Sequence, residues 1–353
     1  MTKKTRYFMG GSAAILVAGL GTGLVAYYGG GFPSLSASRS GPSELSYVPA
    51  DATVVAFANV REVMDSQLRQ RLKQVMPQET GQKEFEQQTG IDIERDIDYV
   101  VAAMTAAEPQ NANGLVVARG RFNTTQLETL AREHGGVVED YKGKRLIKAS
   151  GMNVERTDIP QPPKLAHNVM VAFLEPGLVG IGSEVAVKGA IDAQLTAHSI
   201  TSNNEMMELI ADIDSGNNAW AVGRVDAIAN QTKLPAEIAG KLPEVKTFAV
   251  MTHIDGGVTG SLRAEARDDQ SAENLRQVVQ GLLALGRMQT DPKATALLNS
   301  LQLSGTGTTV KLSFAVPSEV LDMIPTQKMI KDGGAMPHAP HAPQAPKPPT
   351  PER

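Results

Sequence analysis

The sequence predicts an α+β fold made of two similar modules behind an N-terminal transmembrane helix. Three patterns predict it: a 22-residue stretch without charge near the N-terminus, adjacent pairs of short apolar strands, and an amphipathic helix after each pair. Strands joined by short turns pair antiparallel, so a parallel doubly wound sheet is not expected. The helices that follow the hairpins should cover one face of each antiparallel sheet.

The uncharged stretch runs from Tyr7 to Tyr28 and follows the basic residues Lys3, Lys4 and Arg6. About 20 apolar helical residues cross a bilayer core of roughly 30 Å. A cleaved signal peptide is the alternative, although its apolar region is usually shorter and ends at a small-x-small site. Because basic ends stay in the cytoplasm, the sequence predicts a single-pass inner-membrane protein with its bulk on the periplasmic or extracytoplasmic side.

A G-x-x-x-G pair, Gly19 and Gly23, lies within this stretch. Small residues four positions apart let two membrane helices approach closely. The pair therefore offers one route to a homo-oligomer, although glycine is common in membrane helices in any case.

Composition divides the chain into six segments. They are a cytoplasmic basic end (1–6), the transmembrane anchor (7–28), a flexible Gly-, Ser- and Pro-rich linker (29–50), a first α+β module (51–200), a second α+β module (215–325) and a disordered Pro-rich tail (326–353).

The first module is predicted from alternating strand and helix signals. Its elements are strand 52–60, an amphipathic helix from residue 60, strands 98–105 and 114–122, helix 124–134 capped by Asn123, strands 169–174 and 178–182, and a helix from Ser183 to about residue 195.

The second module repeats this order. Its elements are a strand around Trp220 and Val222, a helix from Ile228, strands 245–254 and 258–267 around an Asp255-Gly256-Gly257 turn, helix 272–288, strands 300–304 and 308–316, and helix 317–324. Helix 272–288 carries one apolar face that should lie against the sheet: Leu275, Val278, Val279, Leu282 and Leu285. The two modules would pack together or share one sheet.

The step from Pro49 to Phe57, PADATVVAF, leads from the linker into the first strand. With the helix that follows, as far as residue 75, it resembles the start of the folded part in a group of uncharacterised, membrane-anchored bacterial envelope proteins. The resemblance implies export and the α+β class. It implies no activity, because the group has no established one.

Composition and motifs argue against several chemistries. The chain has no cysteine, which excludes disulfides, thiolate metal sites and thiol catalysis. A net charge of -4 is not the basic footprint of a nucleic-acid binder. The G-x-S-x-G, S-x-x-K, H-E-x-x-H and Walker A motifs do not occur. We therefore expect no catalytic, metal-binding or cofactor-binding residues and no cofactor.

Two groups of polar residues could still carry chemistry. His253 and Asp255 could form a base and its orienting carboxylate, but a turn aspartate that caps its own hairpin is the favoured interpretation. Acidic residues alternate from Asp92 to Asp98, where a solvated edge or loop is favoured over a metal site.

Six basic residues make the first module locally basic: Arg119, Arg121, Lys142, Lys144, Arg145 and Lys148. On an outward strand pair they would form a surface patch toward anionic lipid headgroups. A charged sheet edge that opposes aggregation is the alternative interpretation.

The sequence favours a non-catalytic, membrane-tethered envelope protein that binds a protein partner or serves in assembly. The anchor, the two modules and the Pro-rich tail support this function. The alternative is a carrier or sensor of apolar ligands such as lipids, which would need an apolar cavity between sheet and helices. An enzyme of unknown type is the third candidate.

Overall fold

The structure, a computed structural model, describes residues 42–75, 86–87, 89–105, 113–133, 135–150, 168–213, 216–225, 244–288 and 298–317. The strands in these ranges are β1 (Ala52–Ala58), β2 (Ile97–Thr105), β3 (Asn113–Gly120), β4 (Val137–Tyr141), β5 (Lys144–Ser150), β6 (Asn168–Glu175), β7 (Leu178–Ser183), β8 (Ala219–Arg224), β9 (Val245–Ile254), β10 (Gly257–Ala266), β11 (Gln302–Ser304) and β12 (Thr309–Pro317). The α-helices are α1 (Val60–Asp65), α2 (Gln67–Val75), α3 (Ile93–Asp96), α4 (Thr124–Glu133), α5 (Glu184–Thr196), α6 (Asn204–Ala211) and α7 (Asp269–Arg287), and 3-10 turns lie at Ser43–Tyr47 and Ile200–Ser202.

All twelve strands belong to one antiparallel sheet, in the order β11-β12-β10-β9-β8-β1-β2-β3-β7-β6-β5-β4. The predicted α+β class with antiparallel pairing is confirmed. Strands β1 and β8 lie side by side, paired from Val54 with Gly223 to Ala58 with Ala219, so both predicted modules contribute to one sheet. Outward from this pair, the order β1-β2-β3-β7-β6 on one side matches β8-β9-β10-β12-β11 on the other.

The core lies across the β1–β8 junction. Phe57 on β1 stacks on Trp220 of β8, with ring centroids 5.6 Å apart, and its ring centroid is 6.0 Å from that of Tyr99 on β2. Val55 and Val222 pair beside them and are fully buried. One cluster of buried side chains therefore includes residues from both halves of the chain.

Helices pack on both faces of the sheet in the first half, α5 on β3, β7 and β6 and α4 on β4 and β5, which corrects the prediction that they cover one face. Arg145 and Lys148 are three residues apart in β5, so their side chains point to opposite faces. Arg145 forms an ion pair with α4 and Lys148 forms one with α5. The physical reason is that β5 has buried residues on both faces, Leu146 on one and Ile147 on the other.

The predicted caps of two helices are confirmed, and one hairpin was missed. Asn123 accepts a hydrogen bond from the Gln126 amide at the start of α4, and Ser183 accepts one from the Ala186 amide at the start of α5. The missed β4–β5 hairpin turns at Lys142-Gly143, whose φ angles of 51° and 80° fit a two-residue hairpin turn. Lys144, Arg145 and Lys148, which the sequence predicted to belong to a basic patch, lie on strand β5 of this hairpin.

The prediction of a flexible linker over residues 29–50 is wrong for its last part. Residues 43–47 form a 3-10 turn, and Leu45, Tyr47 and Val48 are buried in the main core. Val48 accepts a backbone hydrogen bond from Ile200, which fixes this segment next to the turn that precedes α6. Three large apolar side chains lie within four positions here, enough to offset the entropy of ordering the segment.

A buried carboxylate attaches this segment to the sheet. Glu44 is 1% exposed and accepts hydrogen bonds from the Tyr99 hydroxyl at 2.6 Å and from Arg119 Nη2 at 2.5 Å. Burial, together with the hydrogen bond to Glu44, raises the pKa of Tyr99 to about 12. Burial lowers the pKa of Arg119, but the hydrogen bonds to Glu44 and Tyr99 raise it more, so the guanidinium stays charged. Beside them, the Tyr47 hydroxyl donates to Glu175 at 2.8 Å.

Several predicted segments lie outside the described residues. They are the anchor 7–28 with Gly19 and Gly23, linker residues 29–41, the helix from Ile228, helix residues 318–324 and the tail 326–353. Within the described ranges, none of the helices combines the length and apolar composition that crossing a bilayer requires.

Replacing Arg119 with Met should destabilise the protein by about 3 kcal/mol, because it leaves Glu44 buried without its cation. This value is at the lower end of the stability loss expected when one partner of a buried ion pair is removed, because the Arg119 side chain is 27% exposed. Urea unfolding of the full chain in detergent measures the loss. Lys142→Met, which removes an exposed pair with Asp192, is the matched control and should change little. Equal effects of the two substitutions would show that the Glu44 pair does not hold the segment.

Candidate interaction surface

The six residues of the predicted basic patch do not share one surface. Lys144 and Lys148 project from one face of β5, and Arg145 between them projects from the other. Five of the six have a carboxylate partner, and the Lys144 ammonium donates to the Leu174 carbonyl: the pairs are Arg119–Glu44, Arg121–Asp96, Lys142–Asp192, Arg145–Glu128 and Lys148–Glu184. The strand register contradicts a single patch, because alternation sends neighbouring residues to opposite faces.

Four charged side chains dock α5 on the β4–β5 hairpin. Glu184, in the first turn of α5, accepts hydrogen bonds from Lys148 of β5 and from Lys188, each at 2.7 Å. These two hydrogen bonds lower the pKa of Glu184 to about 2. Lys188 also lies 3.2 Å from Glu139 of β4. The charges thus hold a helix on the sheet.

The Asp255 turn serves the fold. The Asp255 carbonyl accepts a hydrogen bond from the Leu68 amide at 2.7 Å, and its carboxylate accepts a long one from the Gln67 amide at 3.4 Å. Asp255 therefore caps the N-terminus of α2, a contact between the two halves of the chain. His253 is partly buried, and its Nδ1 has no hydrogen-bond partner among the described residues.

The acidic residues from 92 to 98 are joined to separate cations. The ion pairs are Asp92–Arg95, Glu94–Arg69, Glu94–Lys73, Asp96–Arg121 and Asp98–Arg61. Asp92 also caps α3 by accepting from the Glu94 amide at 2.9 Å. Burial raises the pKa of Glu94, but the hydrogen bonds from Lys73 and Arg69 lower it more. In the described ranges, no three metal-ligating side chains come together.

A cleft of about 340 Å³ lies where β8, β9 and β10 meet the start of α6. Its lining residues are Glu205, Arg224, Glu244, Val245, Lys246 and Arg267. Five of these six are charged, and Arg267 and Glu244 form an ion pair. A cleft of this polarity does not suit an acyl chain.

Helix α7 presents the largest group of exposed apolar side chains among the described residues. Asp268 caps its start by accepting from the Ser271 amide at 2.7 Å, a hydrogen bond that lowers the pKa of Asp268. Ala272 and Leu275 then pack on Ala266, Val310 and Leu303 of the sheet. Beyond Leu275 the buried cluster contains no further residue of the helix.

The outer face of α7 consists of Val278, Leu282, Leu285 and Met288, whose exposed fractions are 40%, 40%, 62% and 79%. Other large exposed apolar residues are spread over α5, β4 and β7. The sequence predicted that Val278, Leu282 and Leu285 face the sheet, and the structure corrects this. The reason is that β11, the last strand on this side, spans only three residues, so the sheet offers little apolar surface beneath the second half of α7.

Comparisons with known proteins give little further information. No family model matches the chain. No curated protein matches it either. Among solved structures, crystal form I of TP0453 is distantly similar, with 10% sequence identity, 79% of this chain and 95% of that chain covered, and a TM-score of 0.46. The function must therefore follow from the residues of this chain.

Stability should fall at low pH through Glu184. Its pKa is lowered from 4.5 to about 2 in the folded state, so its contribution is present above about pH 4.5 and lost as the pH falls toward about 2. The difference in urea midpoint between the wild type and Glu184→Gln should therefore shrink over this range. In the Lys148→Met variant, NMR of the Glu184 side chain should show that the titration midpoint of its carboxylate moves back toward pH 4.5. A pH-independent difference would contradict the assignment.

Proposed function

We propose that the protein is a non-catalytic, membrane-tethered envelope protein that binds another protein through the outer face of α7. The observation that carries the proposal is the cluster of Val278, Leu282, Leu285 and Met288 on one side of a single helix. Contiguous exposed apolar surface costs solubility and marks interaction sites in soluble domains. An amphipathic helix offers such residues at the spacing that a partner's groove or helix can accept.

Three other polar groups of the described residues support a binding role. The Asp255 turn caps a helix, the acidic residues from 92 to 98 bind cations, and Arg119, Arg145 and Lys148 bind carboxylates. Each group already has a structural task. The charged lining of the 340 Å³ cleft favours a protein partner over the alternative, a carrier of apolar ligands.

We further propose that the two halves descend from one duplicated module. The matching strand orders outward from β1 and β8 support this, as does the presence of a helix after β3 in one half and after β10 in the other. The β4–β5 hairpin would then be an addition to the first half. The N-terminal stretch from Tyr7 to Tyr28 supports the membrane tether, and its basic flank supports export of the rest of the chain.

The double substitution Leu282→Asp and Leu285→Asp should abolish the cellular role while leaving the fold intact, because both side chains already face solvent. Complementation of a deletion strain measures the role, and urea unfolding confirms the fold. Val185→Asp is the matched control: Val185 is 67% exposed on α5, away from the outer face, and its substitution should complement fully. A folded double variant with full function would refute the proposal.

The tether has a separate test. A reporter that is active only outside the cytoplasm, fused after residue 325, should be active, and deletion of residues 1–28 should abolish that activity. Extraction from membranes should need detergent. Release by a salt wash alone would show that the N-terminal segment is cleaved.

A further inference from the structure

The contacts of Glu44 fix the end of the sheet at which the chain enters the folded body. Glu44 accepts hydrogen bonds from Tyr99 and from Arg119, the second-to-last residue of β3. From there the chain runs to Ala52, which starts β1 opposite Thr105 at the other end of β2. The predicted tether therefore reaches the body at the end where β2 starts and β3 stops, which we call the entry end.

The entry end carries exposed cations whose carboxylate partners lie deeper. The Arg95 side chain is 69% exposed, whereas its partner Asp92 is 18% exposed. The Arg121 side chain is 67% exposed, whereas its partner Asp96 is 23% exposed. Arg121 also donates to the Arg95 carbonyl, and its amide donates to the Asp96 carbonyl at 2.6 Å. The two guanidinium groups therefore belong to one surface, where α3 meets the start of β2.

Two cations of α2 extend this arrangement. Arg69 and Lys73 both form ion pairs with Glu94, which is less exposed than either of them. Glu86 is the exception: it lies 3.2 Å from Arg95 and is about half exposed. The formal charges of this surface cancel, but most of its outermost groups are guanidinium and ammonium groups.

Arg95 and Arg121 keep donors for a further anion. An arginine has five N–H donors in a planar fork that suits two oxygens of one phosphate. Among the described residues, the contacts of Arg95 use Nε and Nη2, and those of Arg121 use Nη2. The Nη1 groups of both remain available, so each arginine can bind a phosphate without leaving its carboxylate.

We propose that the entry end docks on the anionic phosphate headgroups of the membrane that holds the tether, with Arg95 and Arg121 as its main contacts. This inference rests on the proposed function, because it requires the tether. Residues 29–41 separate the predicted anchor from Pro42, and thirteen residues span at most about 45 Å. The tether thus gives the entry end a high effective concentration near the headgroups. Basic side chains close to an anionic leaflet are attracted to it.

The opposite end of the sheet offers less to a membrane. Strand β2 has nine residues, so that end lies about 30 Å from the entry end. Arg267 and its partner Glu244, which line the charged cleft there, are about equally exposed, so the cation does not project beyond its carboxylate. Docking through the entry end would therefore turn the opposite end away from the bilayer.

The cysteine-free chain allows a fluorescent donor to be placed at either end. Pro176→Cys labels the β6–β7 turn at the entry end, where the Gly177 carbonyl accepts from the Gly120 amide. Val185→Cys labels the opposite end, in the first turn of α5. The labelled full chain is reconstituted in phosphatidylcholine vesicles, with or without phosphatidylglycerol, that contain a lipid with an acceptor on its headgroup. We expect phosphatidylglycerol to raise energy transfer from residue 176 severalfold and not to raise it from residue 185.

Charge substitutions test the two arginines. Arg95→Gln combined with Arg121→Gln should cancel the rise at residue 176. Lys246→Gln combined with Arg267→Gln removes two cations from the opposite end; this matched control should keep the rise. Urea unfolding checks that both double variants fold. If the first does not, the wild type decides, because high salt screens exposed charges and should reverse its rise.

Three results would overturn the inference: no response to phosphatidylglycerol, an equal response at both ends, or a rise that survives the loss of both arginines in a folded variant. A salt wash of the same vesicles judges the tether separately. If the wash releases the chain, the membrane tether of the proposed function is wrong. If the chain is retained and residue 176 does not respond, only the docking is wrong.

Discussion

The pairing of β1 with β8 is the constraint on which the rest of the structure depends. It joins strands more than 150 residues apart in the chain and turns two strand sets into one sheet of twelve. Phe57 and Trp220 stack across it, so the aromatic centre of the core belongs to neither half alone. Asp255 strengthens the junction from the second half by capping a helix of the first. The halves should therefore unfold together.

The segment around the 3-10 turn Ser43–Tyr47 packs against the same sheet. Glu44 enters the core as a carboxylate and is stabilised there by Arg119 and Tyr99. A buried ion pair adds little net stability over an apolar pair of the same shape, but an incomplete one is costly, so it fixes position. The folded body thus includes residues 42–50, which composition assigned to the flexible linker.

The two halves are alike in strand order and differ in how their faces are covered. In the first half both faces of β5 carry buried residues, and α4 packs on β4 and β5 from one side while α5 packs on β6, β7 and β3 from the other. In the second half Arg263, Lys311 and Ser313 lie on one face of β10 and β12, while Ala264 and Val310 lie on the other, beneath the start of α7. At its outer strands β10 and β12 that half therefore has one apolar face, and α7 is longer than the apolar surface beneath it. The candidate interaction surface arises because α7 extends beyond the apolar surface of the sheet on which its first turns pack.

Local patterns alone determined the class, the hairpins other than β4–β5, and the caps at Asn123 and Ser183, because hydrophobic period and capping chemistry act over a few residues. They also located α7 and its apolar stripe. Tertiary structure alone decided that β1 pairs with β8, that Glu44 is buried, and that the outer face of α7 is left uncovered. These outcomes depend on which distant strands become neighbours and on how far each strand extends. A pattern within a short window of sequence carries no information about either.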